Sequence, residues 1–169
     1  MRYTIKHTIE TDLDTFWAEL FFDAEFNRAL FDGLGFTSYQ VLEDSRDADG
    51  TVRRRIECTP KIELPGPARK IFGDSAGYTE IGRFDPAQRK YFVEVQPKAK
   101  VAADKIKTTS EIWAEPRGDK RCERVVQVDT TVKVFGIGTM IEGFIEQQTR
   151  DQYAKAAEFT NQWIRDKQL

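Results

Sequence analysis

The sequence predicts an α+β fold: a curved antiparallel sheet wrapped around one long C-terminal helix, in the order β-α-α-β6-α. Three observations carry the prediction. Between Phe36 and Phe135 the chain alternates apolar and polar residues in six stretches separated by short turns, the pattern of a meander. From Thr139 to Asp166 there is no proline, and apolar residues recur at helical spacing. A strand and two short helical stretches precede the meander. The 169 residues suit one domain, read as residues 1–169, and a chain of this length buries a core without disulfides or metal.

In the first stretch Tyr3, Ile5, His7 and Ile9 alternate with Thr4, Lys6 and Thr8, which makes a strand. Thr11 or Asp12 then caps a helix with Leu13, Phe16, Trp17, Leu20 and Phe21 on its apolar side. Asp23 caps a second helix that buries Phe26, Leu30 and Phe31 and ends at Gly33 and Gly35. Strands are expected over Phe36–Glu43, Thr51–Glu63, Tyr78–Phe84, Lys90–Gln96, Asp104–Glu115 and Arg121–Phe135. The breaks between them carry turn chemistry: Asp49-Gly50, Leu64-Pro65-Gly66-Pro67, Asp85-Pro86 and Pro116-Arg117-Gly118. The C-terminal helix, roughly 42 Å at about 1.5 Å per residue, needs a whole sheet to lie on.

Strand parity separates an inner from an outer face. Val126, Val128, Thr130, Val132 and Val134 share the inner side of the last strand. Ile106, Thr108, Ser110 and Ile112 share it in the strand before, and Tyr91, Val93 and Val95 in the one before that. In the third strand Val52, Ile56 and Cys58 point inward, and Arg54 falls between them. Arg54 either snorkels outward along its stem or, deep inside, requires a carboxylate or a bound anionic group, which would make it a head-group ligand. The helix stripe joins Ile141, Phe144, Ile145, Gln148, Gln152, Ala156, Phe159 and Trp163. The inner polar groups Thr108, Ser110, Thr130, Gln148 and Gln152 either satisfy one another or orient a ligand in an apolar pocket. The excursion Leu64–Tyr78 carries Arg69, Lys70, Ile71 and Phe72. It reads as a surface loop anchored by Phe72, or as a segment that gates the pocket or touches a membrane.

Several function classes are excluded or demoted. Twenty-six basic residues against 28 acidic ones give a net charge of −2, which provides no field for nucleic acid. No apolar run is long enough to span a membrane, and Met1–Asp12 has no signal-peptide core, so a cytoplasmic location is expected. The single histidine, His7, rules out sites that need two His ligands and reads as structural. Cys58 and Cys122 are far apart and read as small buried hydrophobes, and Gly136-Ile137-Gly138 does not complete a phosphate-binding glycine motif. No catalytic constellation, metal site or cofactor is expected.

The order of elements resembles the START-like (Bet v 1, or SRPBCC) helix-grip superfamily over nearly the whole chain. The stretch Phe16-Trp17-Ala18-Glu19-Leu20-Phe21-Phe22-Asp23-Ala24-Glu25-Phe26-Asn27 resembles the opening of DUF2505-type bacterial members and is similar to sterol-transferring VASt domains. Val132-Lys133-Val134-Phe135-Gly136-Ile137-Gly138 with Glu142 resembles the start of their last helix. The resemblance implies a cavity between sheet and helix for binding or transfer of a hydrophobic small molecule such as a lipid or sterol-like ligand; the Leu64–Tyr78 excursion adds transient contact to a membrane surface as an expectation. Its expected lining is the inner set already named: Arg54, Ile56, Phe72, Tyr78, Tyr91 and Val93, then Thr108, Ser110, Ile112, Val128 and Thr130, then Ile141, Phe144, Gln148 and Gln152. The superfamily also implies two alternatives. One is a polyketide cyclase or aromatase using Arg54, Tyr78, Glu80 and Tyr91. The other is a protein-binding module whose core is filled.

Overall fold

A computed structural model describes residues 1–74 and 76–169. The chain opens with β1 (Arg2–Ile9), then α1 (Leu13–Thr15), which runs directly into a π-helical turn (Phe16–Phe21), and α2 (Ala24–Gly33). The strands β2 (Ser38–Arg46) and β3 (Val52–Thr59) follow, then α3 (Gly66–Phe72). The remainder is β4 (Tyr78–Asp85), β5 (Lys90–Pro97), a 3-10 turn (Ala103–Lys105), β6 (Ile106–Pro116), β7 (Cys122–Val132) and α4 (Gly138–Lys167). All seven strands form one antiparallel sheet in the order β1-β7-β6-β5-β4-β3-β2. β1 thus crosses to pair with the last strand, and the sheet curves around the 30-residue α4.

Local chemistry explains the helical opening. The Asp12 carboxylate accepts from the backbone N–H groups of Asp14 and Thr15, and Asp23 accepts from that of Phe26. The π-turn is unforeseen by a 3.6-residue period. Its i→i+5 bond, Phe22 N–H to the Trp17 carbonyl at 3.2 Å, stacks Trp17 on Phe22 with centroids 5.8 Å apart. Phe16 and Phe21 sit 5.9 Å apart by the same offset. The wide turn lets four aromatic rings share one face, where a normal helix would spread them.

Two expectations are corrected here. The excursion after β3 is no anchored surface loop: β3 stops at Thr59, and Pro67 enters the first turn of α3, which buries Ala68, Ile71 and Phe72. Ser75, within that excursion, lies outside the described residues. The stripe on α4 also drifts. Ile141, Ala156, Ala157, Thr160 and Ile164 are its buried residues, whereas Phe159 and Trp163 turn toward Phe26 of α2. A 3.6-residue turn carries the sheet-facing line sideways over eight turns, so a single straight stripe could not hold.

Candidate functional site

Cross-strand register arranges the inner face into rows. One row runs Val52, Phe84, Tyr91, Ile112, Val126, Ile5. The aromatic cluster of the π-turn closes over it, with Trp17 4.8 Å from Phe84 and Phe21 5.0 Å from Tyr91 between ring centroids. The next row runs Arg54, Gly82, Val93, Ser110, Val128, Tyr3, and the one beyond it Ile56, Glu80, Val95, Thr108, Thr130. Over these rows the helices do not close. On one side stands the large cluster built on Phe16, Trp17, Leu20 and Tyr91; on the other stands a smaller one of Leu64, Ala68, Ile71, Phe72, Ile106, Val132 and Ile141. Between them lies a cavity of about 210 Å³.

Of the expected lining, Phe72, Tyr78, Val93, Thr108, Ser110, Val128, Phe144, Gln148 and Gln152 stand in the cavity wall. Arg54, Ile56, Tyr91, Ile112, Thr130 and Ile141 do not. Tyr91 and Ile112 belong to the row beneath the aromatic plug. Ile141 is wholly buried in the smaller cluster with α3. Thr130 is 0% exposed, with its hydroxyl 3.2 Å from that of Thr108. Ile56 is buried at the β2 side of the sheet. Arg54 neither snorkels nor faces the cavity: it is 5% exposed, Nη1 donates to the Phe21 carbonyl at 3.0 Å, and Nε lies 3.7 Å from the Asp44 carboxylate. It ties β2 and β3 to the helical opening.

The sequence reading missed the irregular part of the wall, Phe36, Pro60, Ile62, Ala76 and Gly77, and two helix positions, Thr149 and Tyr153. Irregular segments carry no periodicity to read. The helix pair was legible, since Ile145, Thr149 and Tyr153 continue at i+4 beside the chosen stripe. Arg124 was missed as well. Its even number puts it on the inner face of β7, where it donates to the Tyr153 carbonyl at 2.9 Å and lies over the Tyr153 ring at 5.0 Å. Arg124 is also 3.5 Å from Nδ1 of His7, and burial, with that guanidinium second, holds the imidazole below its usual range.

The polar groups of the cavity are few. Burial pushes the Glu80 carboxyl above its usual range, an effect the Arg54 charge offsets only in part. Burial also raises the Tyr78 and Tyr153 hydroxyls. Burial lifts the Cys58 thiol to about 12. The Gln152 side-chain oxygen is buried with no hydrogen-bond partner in the protein. Among the described residues no three His, Cys, Asp or Glu side chains gather as metal ligands, and no helix is long and apolar enough to cross a membrane.

A curved antiparallel sheet gripping a long C-terminal helix over a cavity is the fold of the START-like (Bet v 1, SRPBCC) superfamily. A norcoclaurine synthase point mutant from Thalictrum flavum, in complex with a transition-state analogue, superposes with a TM-score of 0.68 at 18% identity, over 100% of this chain and 98% of that one. The Zhui aromatase/cyclase from Streptomyces gives 0.61 at 16% identity, over 94% of each chain. A START superfamily protein from Mycobacterium smegmatis gives 0.59 at 18% identity, over 96% and 98%. At such identities the likeness is one of fold. By sequence, the chain belongs to the DUF2505 family, described as proteins of unknown function, which matches residues 4–164. No curated protein sequence matches it.

Proposed function

We propose that this protein binds, and carries, a compact hydrophobic small molecule in the cavity between sheet and α4. The cavity itself is the supporting observation: aliphatic and aromatic walls with a minority of neutral polar groups are the usual make-up of a small-molecule site. An engineered apolar cavity of about 150 Å³ takes up benzene, so 210 Å³ suits one or two rings or a short acyl chain. The buried Gln152 oxygen needs a donor, which a ligand hydroxyl supplies; the Glu80 carboxyl, when it holds its proton, is a donor to a ligand carbonyl.

Solvent extraction of the purified protein followed by mass spectrometry should recover such a molecule, and the emptied protein should take up a naphthalene-type fluorophore. Ser110→Phe fills the cavity from the centre of its floor and should lower the fluorophore affinity by roughly tenfold or more while the fold persists. An empty extract together with no uptake overturns the proposal.

One observation favours a second reading, in which the ligand is also transformed. A carboxyl in the wall of an apolar cavity, its pKa raised by burial, is placed to act as a general acid. Of the cyclase candidates only Glu80 and Tyr78 stand in the wall; Arg54 and Tyr91 are engaged elsewhere. A recovered ligand altered by the native protein but returned unchanged by Glu80→Gln distinguishes catalysis from carriage.

A further inference from the structure

The cavity lies toward one end of the sheet, and that end carries a surface of its own. There β3, β5 and β7 finish and β4 and β6 begin, so the segments 60–74, 76–77, 98–105 and 133–137 gather around it. Backbone bonds join them. Lys133 N–H donates to the Lys105 carbonyl at 2.8 Å, and Lys100 and Val101 both donate to the Ile71 carbonyl of α3, at 2.8 and 3.1 Å. From this end apolar side chains project into solvent. Phe135 is fully exposed, Val101 is 52% exposed and Met140 40%. Gly136, at φ +77°, reverses the chain directly after Phe135, and the ring stands at the tip of the turn.

The charge around these three side chains is one-sided. Arg69, Lys70, Lys100, Lys105 and Lys133 are exposed on the segments gathered at this end, and among the described residues none of these five forms an ion pair. The acids of the same segments, Glu63, Asp74 and Asp104, are fewer. In a molecule of net charge −2 this is a local basic excess. An exposed Phe among lysines matches the boundary of an anionic bilayer, which offers an acyl layer for the ring and negative headgroups for the ammonium groups.

We propose that this end of the molecule docks reversibly on an anionic membrane surface, with Phe135, Val101 and Met140 entering the interface and the lysines facing the headgroups. The docking stands on the surface alone. Its use, passing a ligand between bilayer and cavity, rests on the binding function proposed above.

The test is sedimentation of the full chain with phosphatidylcholine vesicles, with and without phosphatidylserine. The chain should bind only the vesicles that contain phosphatidylserine, and added salt should release it. Phe135→Asp and the double variant Lys105→Glu/Lys133→Glu should each weaken binding by roughly tenfold or more. Neither set touches the cavity wall, so fluorophore uptake in solution should be unchanged, and loss of uptake alone would count against the cavity and not against the docking. Equal binding to both vesicle types, no binding to either, or vesicle binding insensitive to both variants overturns the proposal. So does a dimeric mass in solution that Phe135→Asp returns to monomer, because a second copy then covers the patch.

Discussion

A carboxyl group on an apolar wall is either charged at a cost or neutral with its proton, and burial shifts Glu80 toward the second. Burial raises its folded pKa above the unfolded value, and the Arg54 charge does not fully compensate. Between those two values the folded chain keeps a proton that the unfolded chain has lost, so stability falls as pH rises through that window. Above the folded pKa the whole penalty applies. Glu80→Gln keeps the shape and removes the titration. We expect it to stabilise the protein at pH 8 by about 1 kcal/mol and to change little at pH 4, a contrast that urea melts at the two pH values read directly. A Glu80→Gln protein no more stable at pH 8 would mean the carboxylate is solvated in the cavity after all. Arg54 shows the complementary case: a buried charge hydrogen-bonded to a carbonyl, with a carboxylate 3.7 Å from its Nε, and so committed to structure.

The strands were the most legible elements, because alternation with one buried face admits a single parity. Val126, Val128, Thr130 and Val132 face inward as expected; Val93, Ser110 and Val128 meet as cross-strand neighbours, and so do Val95, Thr108 and Thr130. What stayed hidden depends on distant partners. The π-turn follows from the need to seat four rings over Phe84 and Tyr91, and α3 follows from an apolar patch on Ile106 and Val132 that only the folded sheet creates. Parity places Glu80, Gly82 and Phe84 inward but does not say why Gly82 is glycine. The Tyr91 ring crosses directly over it, and a Cβ there would overlap the phenol oxygen and its ring carbon. Gly82→Ala should therefore cost about 2 kcal/mol or more by forcing Tyr91 out of its aromatic cluster. Paired with Tyr91→Ala, which vacates that space, the glycine substitution should cost far less, and a double-mutant cycle on thermal unfolding measures the difference. Additive losses would mean the ring already swings aside.

At the scale of the molecule, two hydrophobic clusters of unequal build flank one cavity. The larger is cross-braced by β1, β7, α4 and the aromatic opening, with Asn161 bonded to both the Glu10 N–H and the Thr8 carbonyl. The smaller depends on α3, a helix of seven residues with no side-chain cap at its N-terminus, held by Ala68, Ile71 and Phe72. Seven residues are too few to be helical alone, so α3 persists only while those side chains stay docked. Phe72 is also cavity wall, which couples the docking of α3 to whatever fills the cavity. Hydrogen exchange should accordingly find the α3 amides opening well before those of β6 and β7, as a separate unit. A bound ligand contacting Phe72 should slow that opening in proportion to its occupancy and leave the β7 amides almost unchanged. If α3 exchanged only with global unfolding, the cavity would have no weak wall, and a ligand would have to pass between strands that are fully bonded to one another.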